Sequence, residues 1–137
     1  MVHELTIPVP GPGLHDITDR VRGVVAGSGL RRGEGLCTVF IRHTSASLLI
    51  QENADPSAKH DLERWLDRLV PEHDPLYTHR SEGPDDMPAN VKAALTATSL
   101  SIPILGGQLA LGTWQGIYLW EHRRGRHERS VVVHVGE

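Results

Sequence analysis

Strand-like alternation of apolar residues marks both ends of the chain, and two helical segments follow one another between them. These helices are predicted at 55–70 and 88–98, each with a proline near its start, and a shorter helix is predicted at 18–28. A parallel sheet requires strands and helices that alternate along the chain, and this chain has a different order. We therefore predict an α+β fold, mainly antiparallel, with three helices in the order ββαββααβββ.

The predicted strands are bounded by glycines, prolines and polar clusters. On the third strand, Cys37, Val39 and His43 share one face. Gly106-Gly107 is expected to form a hairpin turn. The segment 71–87, which has three prolines and many charges, is expected to be a long loop, and loops of that length often carry function. The predicted strands cover residues 2–8, 15–18, 36–44, 46–51, 100–105, 108–122 and 130–135.

Composition excludes several classes of protein. The 137 residues suit a single domain over 1–137, with 39% hydrophobic and 23% charged residues. A net charge of −3 argues against a nucleic-acid partner, and the longest apolar run, four residues from Ile117 to Trp120, argues against a membrane span. Cys37 is the only cysteine, which excludes an internal disulfide. No signal peptide is visible at the start, so a cytoplasmic location is expected.

His43, Thr44, Ser45 and Ser47 end a strand whose earlier inward residues are apolar. One interpretation is a metal ligand or general base beside hydroxyls that bind an anion. The other is a strand end capped by hydroxyls, with a histidine satisfied by the fold. The residue types alone favour the second.

Glu52 extends the face of Leu48 and Ile50 by the period of two. A carboxylate drawn towards a core is costly unless it is paired, and such groups often have perturbed pKa values. The alternative is that Glu52 has already left the sheet and is solvated. For Asp55, which directly precedes Pro56, a helix-capping role is favoured.

Adjacent Asp85 and Asp86 precede the second of the central helices. They are candidates for a divalent cation that bridges phosphate oxygens, or they favour the positive end of the helix. His79 on the same loop is either a nitrogen ligand for a softer metal or an exposed side chain. The residues leave both alternatives open.

Thr113 and Gln115 are expected to continue the apolar face of Leu109 and Leu111 on the strand 108–122. Trp114 lies between two glycines, which would allow a ligand to approach closely. A sheet bend or a subunit contact is the alternative. The basic run 123–129 is expected to be a solvated turn, with an anion-binding rim as its alternative.

The same polar stretches resemble the signature segments of the YjbQ family, in the same order and over essentially the whole chain. Members of that family have been described as secondary thiamine-phosphate synthases, and many are uncharacterised. The segments are His43-Thr44-Ser45-Ala46-Ser47, Glu52-Asn53-Ala54-Asp55-Pro56, Gly83-Pro84-Asp85-Asp86-Met87-Pro88-Ala89 and Leu111-Gly112-Thr113-Trp114-Gln115-Gly116.

The resemblance implies a β-sandwich with helices that assembles as a homotrimer. Such an assembly would bury Trp114, Trp120 and the strand around Val132. The implied activity is a transferase reaction, which joins a pyrimidine pyrophosphate to a thiazole phosphate and releases pyrophosphate. A small phosphorylated metabolite is therefore the expected ligand.

The resemblance also implies roles for individual residues. Glu52, Asp85 and Asp86 would be catalytic, with the two aspartates holding Mg²⁺ on the departing pyrophosphate. His43 and His79 resemble histidines suspected of binding a transition metal such as Zn²⁺. The expected substrate-binding residues are Thr44, Ser45, Ser47, Asn90, Lys92, Thr113, Trp114 and Gln115.

Asn90 departs from the family pattern, in which histidine usually follows Met-Pro-Ala. Asparagine is a poor zinc ligand, so a site built from positions 43, 79 and 90 is in doubt. A metal could still bind through His43, His79 and Glu52, or the site could be lost.

We therefore carry three hypotheses: the transferase, a non-enzymatic trimer that binds a metal or a phosphorylated metabolite, and a hydrolase acting on such a metabolite. An enzyme should place Glu52, Asp85 or Asp86, and His43 around one cavity, whereas a scaffold would leave the carboxylates separately solvated.

Overall fold

Two antiparallel sheets and three helices make up the computed structural model, which describes residues 1–137. The α+β class, the three helices and the antiparallel pairing are confirmed. The elements are β1 (Val2–Val9), β2 (Gly13–Asp16), α1 (Thr18–Ala26), β3 (Gly35–Ile41), β4 (Ala46–Glu52), α2 (Pro56–Leu69), α3 (Asp86–Leu95), β5 (Ser99–Leu105), β6 (Gln108–Leu109), β7 (Gln115–Glu121) and β8 (His127–Gly136).

The main core lies between the two sheets. The larger sheet has the strand order β1-β8-β3-β5-β6 and the smaller has the order β2-β7-β4. Alternation along β3 and β8 turns Val39 and Val133 inward, where they pack in one cluster with Leu48 and Leu119 of the smaller sheet and Val21 of α1. All five side chains are fully buried. Burial of this kind is the main favourable term in folding.

The outer face of the smaller sheet is covered by helices. Trp120 and Tyr118 of β7 pack there with Leu66 of α2 and with Val70 just after it. Trp120 is therefore buried within a single chain, as Val133 is in the main core. The expectation that a trimer would bury Trp120 is therefore wrong, because the chain buries it alone, whereas Trp114 is 64% exposed.

The capping role expected for Asp55 is confirmed, because its Oδ1 accepts the N–H of Ser57 at 2.9 Å at the start of α2. Thr18, at the start of the helix predicted over 18–28, does not cap that helix with its side chain. Thr18 is the first residue of α1, and its Oγ1 accepts the N–H of Ile117 at 2.9 Å. This bond attaches the helix to β7 instead of capping it.

The predicted strand 108–122 is divided by a turn. The Gln115 N–H donates to the Gly112 carbonyl at 3.1 Å, and the Gly112 N–H donates to the Gln115 side-chain oxygen at 2.8 Å. Thr113 and Trp114 lie in this turn, outside any strand. The expectation that Thr113 continues the face of Leu109 is wrong, because the closed turn interrupts the alternation.

No helix here combines the length and the hydrophobicity that a membrane crossing requires.

Candidate functional site

Arg123 connects the turn after β7 to the loop before α3. Its Nε and Nη2 donate to the Asp85 carboxylate at 3.3 and 3.2 Å, and Nη2 also donates to the Glu82 carbonyl at 2.9 Å. Its Nη1 lies 3.3 Å from Asp86 Oδ1. The Arg124 N–H completes the contact by donating to Asp85 at 3.0 Å. The two adjacent aspartates are therefore held by an arginine that approaches from another part of the chain.

Charge pairing determines the ionisation of this contact. Burial opposes ionisation of Asp85, but the hydrogen bonds from Arg123 and from the Arg124 amide outweigh it, so the pKa of Asp85 is lowered. The same hydrogen bond to Asp85 raises the pKa of Arg123. Both groups are charged at neutral pH, as a charge-assisted pair requires.

His79 is oriented by Asp86. Its Nε2 donates to Asp86 Oδ2 at 2.9 Å, so its Nδ1 carries no proton in the neutral ring. The Asp86 side chain is only 8% exposed, whereas the His79 side chain is 47% exposed. Glu82 joins them, because one ligand atom from each of the three residues lies within 4.8 Å of the other two. We call His79, Glu82 and Asp86 the acidic–histidine cluster.

A cleft of about 510 Å³ opens beside this cluster. Its size is within the range of sites that bind small metabolites. His79 is part of its lining, and the other lining side chains include His73, Tyr77, Arg80 and Met87.

A buried ion pair lies behind the Arg123 contact. Arg129 donates through Nε to Glu121 Oε1 at 2.6 Å, and its Nη2 donates both to Glu121 and to Ser45 Oγ, the latter at 3.0 Å. Glu121 also accepts the Arg123 N–H at 3.1 Å. The side chains of Arg129 and Glu121 are 7% and 0% exposed. This pair therefore fixes the backbone from which Arg123 reaches the aspartates.

His43 contacts that pair and does not join the acidic–histidine cluster. Its Nε2 accepts the backbone N–H of Ser130 at 2.8 Å. Burial, followed by the nearby Arg129 charge, lowers the pKa of His43, so the ring is neutral. The Nε2 lone pair is engaged within the chain, and the structure does not bring His43 and His79 together as a shared metal site.

Ser47 and Lys92 are also engaged within the chain. Ser47 Oγ is hydrogen-bonded to His122 Nε2 at 2.9 Å, and both residues are buried. Burial, together with the Lys92 and Arg129 charges, lowers the pKa of His122 to about 3. Lys92, expected to bind substrate, forms an ion pair with Asp67 and so connects α3 to α2.

The remaining predicted residues lie elsewhere. Ala46 pairs with Glu121 and Glu52 pairs with Gln115, so these two pairs mark opposite ends of the smaller sheet. Six residue steps along β4, from Ala46 to Glu52, separate the two pairs by about 20 Å. The predicted group Glu52, Thr113, Trp114 and Gln115 is therefore not near Ser45 in the same chain. No side-chain hydrogen bond of Thr44 or Asn90 is formed; Thr44 is exposed and Asn90, on α3, is half-buried.

Sequence reasoning missed Glu121 and His122, and it named Arg123 and Arg129 only as part of the basic run 123–129. The period of two offered a signal, since Glu121 continues the face of Ile117 and Leu119, and Arg129 shares the face of Val131. The expectation of a solvated turn holds for Arg126, which is exposed, but is wrong for the buried Arg129.

Comparison with protein families gives a match over nearly the whole chain. A family model described as "UPF0047 protein YjbQ-like" matches residues 3–137. The chain is 54% identical to a UPF0047 protein of Synechocystis over 96% of this chain and 88% of that protein. It is 41% identical to the UPF0047 protein YjbQ of Escherichia coli O157:H7, over 97% and 96% of the two chains.

Solved structures give the same result for the fold. An uncharacterised conserved protein of the YjbQ/UPF0047 family from Clostridium acetobutylicum superposes with a TM-score of 0.88 at 37% identity, covering 98% of this chain and 99% of that one. A YbjQ-like protein of unknown function from Sulfolobus solfataricus has a TM-score of 0.86 at 27% identity, covering 100% and 99%.

These descriptions overturn the predicted activity. The relatives are described only as UPF0047 proteins, and the Sulfolobus structure is described as a protein of unknown function. Neither a thiamine-phosphate synthase nor a transferase is named among them. The prediction of a thiamine-phosphate-synthase-like transferase is therefore wrong.

Proposed function

This chain belongs to the UPF0047 family of YjbQ-like proteins, and we propose that it binds a divalent transition-metal ion through His79, Glu82 and Asp86. The observation that carries the proposal is the convergence of one imidazole nitrogen and two carboxylate oxygens within 4.8 Å of one another. Asp86 contributes from the buried side of the cluster and the other two residues from the exposed side.

The donor set fits such an ion. Neighbouring ligands of a tetrahedral zinc ion are about 3.4 Å apart, given bond lengths of about 2.0–2.2 Å, so side-chain movements of about 1 Å would complete the contact. The ion would replace the proton that His79 Nε2 shares with Asp86 Oδ2. A set that includes an imidazole nitrogen favours zinc over Mg²⁺, which prefers oxygen ligands.

Local charge also supports a cation. Asp85, Asp86 and Glu82 supply three negative charges in this contact and Arg123 supplies one positive charge, which leaves a net of −2. The ion must still bind near the Arg123 guanidinium, 3.3 Å from Asp86 Oδ1. The positive charge of Arg123 repels the ion and weakens its binding. The negative charge of Glu82, the third ligand, offsets that repulsion.

The cleft beside the cluster would hold the remaining ligand of the ion. His73 and Arg80 line this cleft. We propose that these two side chains contact a small phosphorylated metabolite. The predicted cytoplasmic location and the homotrimer also stay predictions.

Calorimetric titration with Zn²⁺, Mn²⁺ and Mg²⁺ tests the cation site. We expect His79→Ala and Asp86→Asn to weaken Zn²⁺ binding at least tenfold, because each removes one of three ligands. His73→Ala, which changes a histidine of the same cleft outside the cluster, should bind as the unaltered protein does. Equal affinity in all four proteins would show that the ion binds elsewhere and would refute the proposal.

A further inference from the structure

Arg129 has hydrogen-bond donors that the chain does not satisfy. Its Nε and Nη2 are taken up by Glu121 and Ser45. The only nearby partner of its Nη1 is His43 Nδ1, at 3.3 Å. Because the side chain is 7% exposed, water cannot freely satisfy the two hydrogens on Nη1.

The tautomer of His43 shows that this partner is not an acceptor. His43 Nε2 accepts the Ser130 N–H at 2.8 Å and therefore carries no proton. A neutral imidazole must then carry its proton on Nδ1. The 3.3 Å contact between His43 Nδ1 and Arg129 Nη1 consequently places two N–H donors side by side.

Ser45 adds a third donor to the same place. Its Oγ accepts from Arg129 Nη2 at 3.0 Å, and its own hydrogen has no acceptor within the chain. Neighbouring donors without an acceptor are the arrangement that proteins use to bind an oxygen with negative charge. His43 is half-buried and not fully enclosed, so it gives the group access to solvent.

We infer that His43 Nδ1, Arg129 Nη1 and Ser45 Oγ form a binding site for one oxygen of a small oxyanion, a phosphate or a carboxylate. Arg129 is paired with Glu121 and Arg42 with Glu4, so hydrogen-bond donors and not a net positive charge would hold this ligand.

This site shares no residue with the acidic–histidine cluster, so the inference does not rest on the proposed cation site. It also gives His43 a different role from that of a metal ligand. The imidazole acts as a hydrogen-bond donor whose orientation is set by the Ser130 backbone.

Two measurements on the unaltered protein test the inference. Long-range ¹H–¹⁵N correlation spectra of the imidazoles should show His43 protonated at Nδ1, the less common tautomer. Titration with inorganic phosphate and, separately, with acetate at pH 7.5 should then shift the His43 Nδ1 resonance in a saturable way. A saturable shift with phosphate alone, with acetate alone or with both supports the inference, and the anion that produces it identifies the class of oxyanion bound.

His43→Gln provides the matched variant. A glutamine side-chain oxygen can reach the position of Nε2 and accept the Ser130 N–H, but no donor remains at the position of Nδ1. We expect the oxyanion to bind at least tenfold more weakly in this variant, which is the loss of one hydrogen bond to a charged group. His127→Gln, at a nearby histidine whose Nε2 contacts the Arg124 carbonyl, should keep the affinity.

Three results would overturn the inference. A His43 protonated at Nε2 would mean that Nδ1 accepts from Arg129 and that the donors are satisfied. Neither anion shifting the resonance would mean that no oxyanion binds. Unchanged affinity in a folded His43→Gln would place the anion elsewhere, and the first two results remain decisive if that variant does not fold.

Discussion

At the scale of single residues, polar side chains replace apolar ones on inward faces, and each contributes to a defined network. Glu121 and Arg129 take strand positions that would otherwise be aliphatic, and they neutralise one another. Removing one member of such a buried pair costs about 3–5 kcal/mol, because the other charge is left without a partner. The pair therefore holds the end of β7 in a single conformation.

His122 makes the stability of the protein depend on pH. Its pKa is lowered from 6.5 to about 3 by burial and by the Lys92 and Arg129 charges. Between these two values the unfolded chain binds a proton that the native chain does not, so stability falls as pH falls below 6.5. We expect a loss of about 2 kcal/mol between pH 6.5 and pH 5 from this residue, at about 1.4 kcal/mol per pH unit. Urea unfolding at the two pH values measures it.

The contribution of His122 is isolated by comparing variants. In His122→Gln, whose amide can still contact Ser47, the difference between the two pH values should shrink by that amount. His60→Gln, at an exposed position of α2, should leave the difference unchanged. If the His122 variant keeps the full pH dependence, another group is responsible.

At the scale of elements, the sequence predicts what local chemistry determines and misses what distant contacts determine. The start of α2 could be predicted because Asp55 and Pro56 are adjacent. The division of 108–122 into β6 and β7 could not, because it depends on the Gln115 side chain folding back to the Gly112 N–H. The role of Arg123 was equally hidden, since its partners lie almost forty residues earlier in the chain.

The same distinction applies to the candidate site. Asp85, Asp86 and His79 could be proposed from the sequence because they lie on one loop before a helix. Glu82 was not singled out, because a carboxylate on a charged loop is usually solvated. The grouping with Glu52 failed for a different reason: a motif order along the chain does not say which end of a strand each motif occupies.

Arg123 is expected to order the loop before α3. Arg123→Ala removes the bonds to Asp85 and to the Glu82 carbonyl, so the free energy of unfolding should fall by about 1–3 kcal/mol. Amide hydrogen exchange should accelerate in residues 82–86, and the exchange rates measure this directly. Arg126→Ala, at an exposed position on the same turn, is the control.

Hydrogen exchange, and not Zn²⁺ affinity, tests the ordering role of Arg123, because the substitution has two opposed effects on the ion. Loss of Arg123 frees Asp86 from a positive neighbour but loosens its loop. Unchanged exchange in residues 82–86 would contradict the ordering role, whatever the affinity for the ion.

At the scale of the whole molecule, helices cover the outer face of the smaller sheet but not that of the larger sheet. Helices α2 and α3 lie over the smaller sheet, with Leu66 buried among its aromatic residues. The outer face of the larger sheet has no such cover. Leu36 and Phe40 point outward from its third strand and are 44% and 46% exposed. Thr38 lies between them on the same face. Exposed apolar side chains grouped on one face of a sheet are typical of interaction surfaces.

Neighbouring strands add further uncharged side chains to this outer face. Phe40 lies opposite Val132 and Leu36 lies opposite Pro103, and between them Thr38 lies opposite His134 and Ser101. Charged residues are confined to the margin, where Arg42 pairs with Glu4. A face that is neutral in its centre and charged at its edge has the composition of a subunit interface.

We expect this face to mediate the predicted homotrimer. Light scattering coupled to size exclusion should give three times the 15.1 kDa mass of the chain. Phe40→Glu should shift the mass to that of a single chain, because it buries an unpaired carboxylate in any interface formed there. Leu76→Glu, at an 85% exposed position on the loop after α2, should keep the trimer. A trimer that survives Phe40→Glu would assign the interface to another face, and a single-chain mass for the unaltered protein would refute the trimer itself.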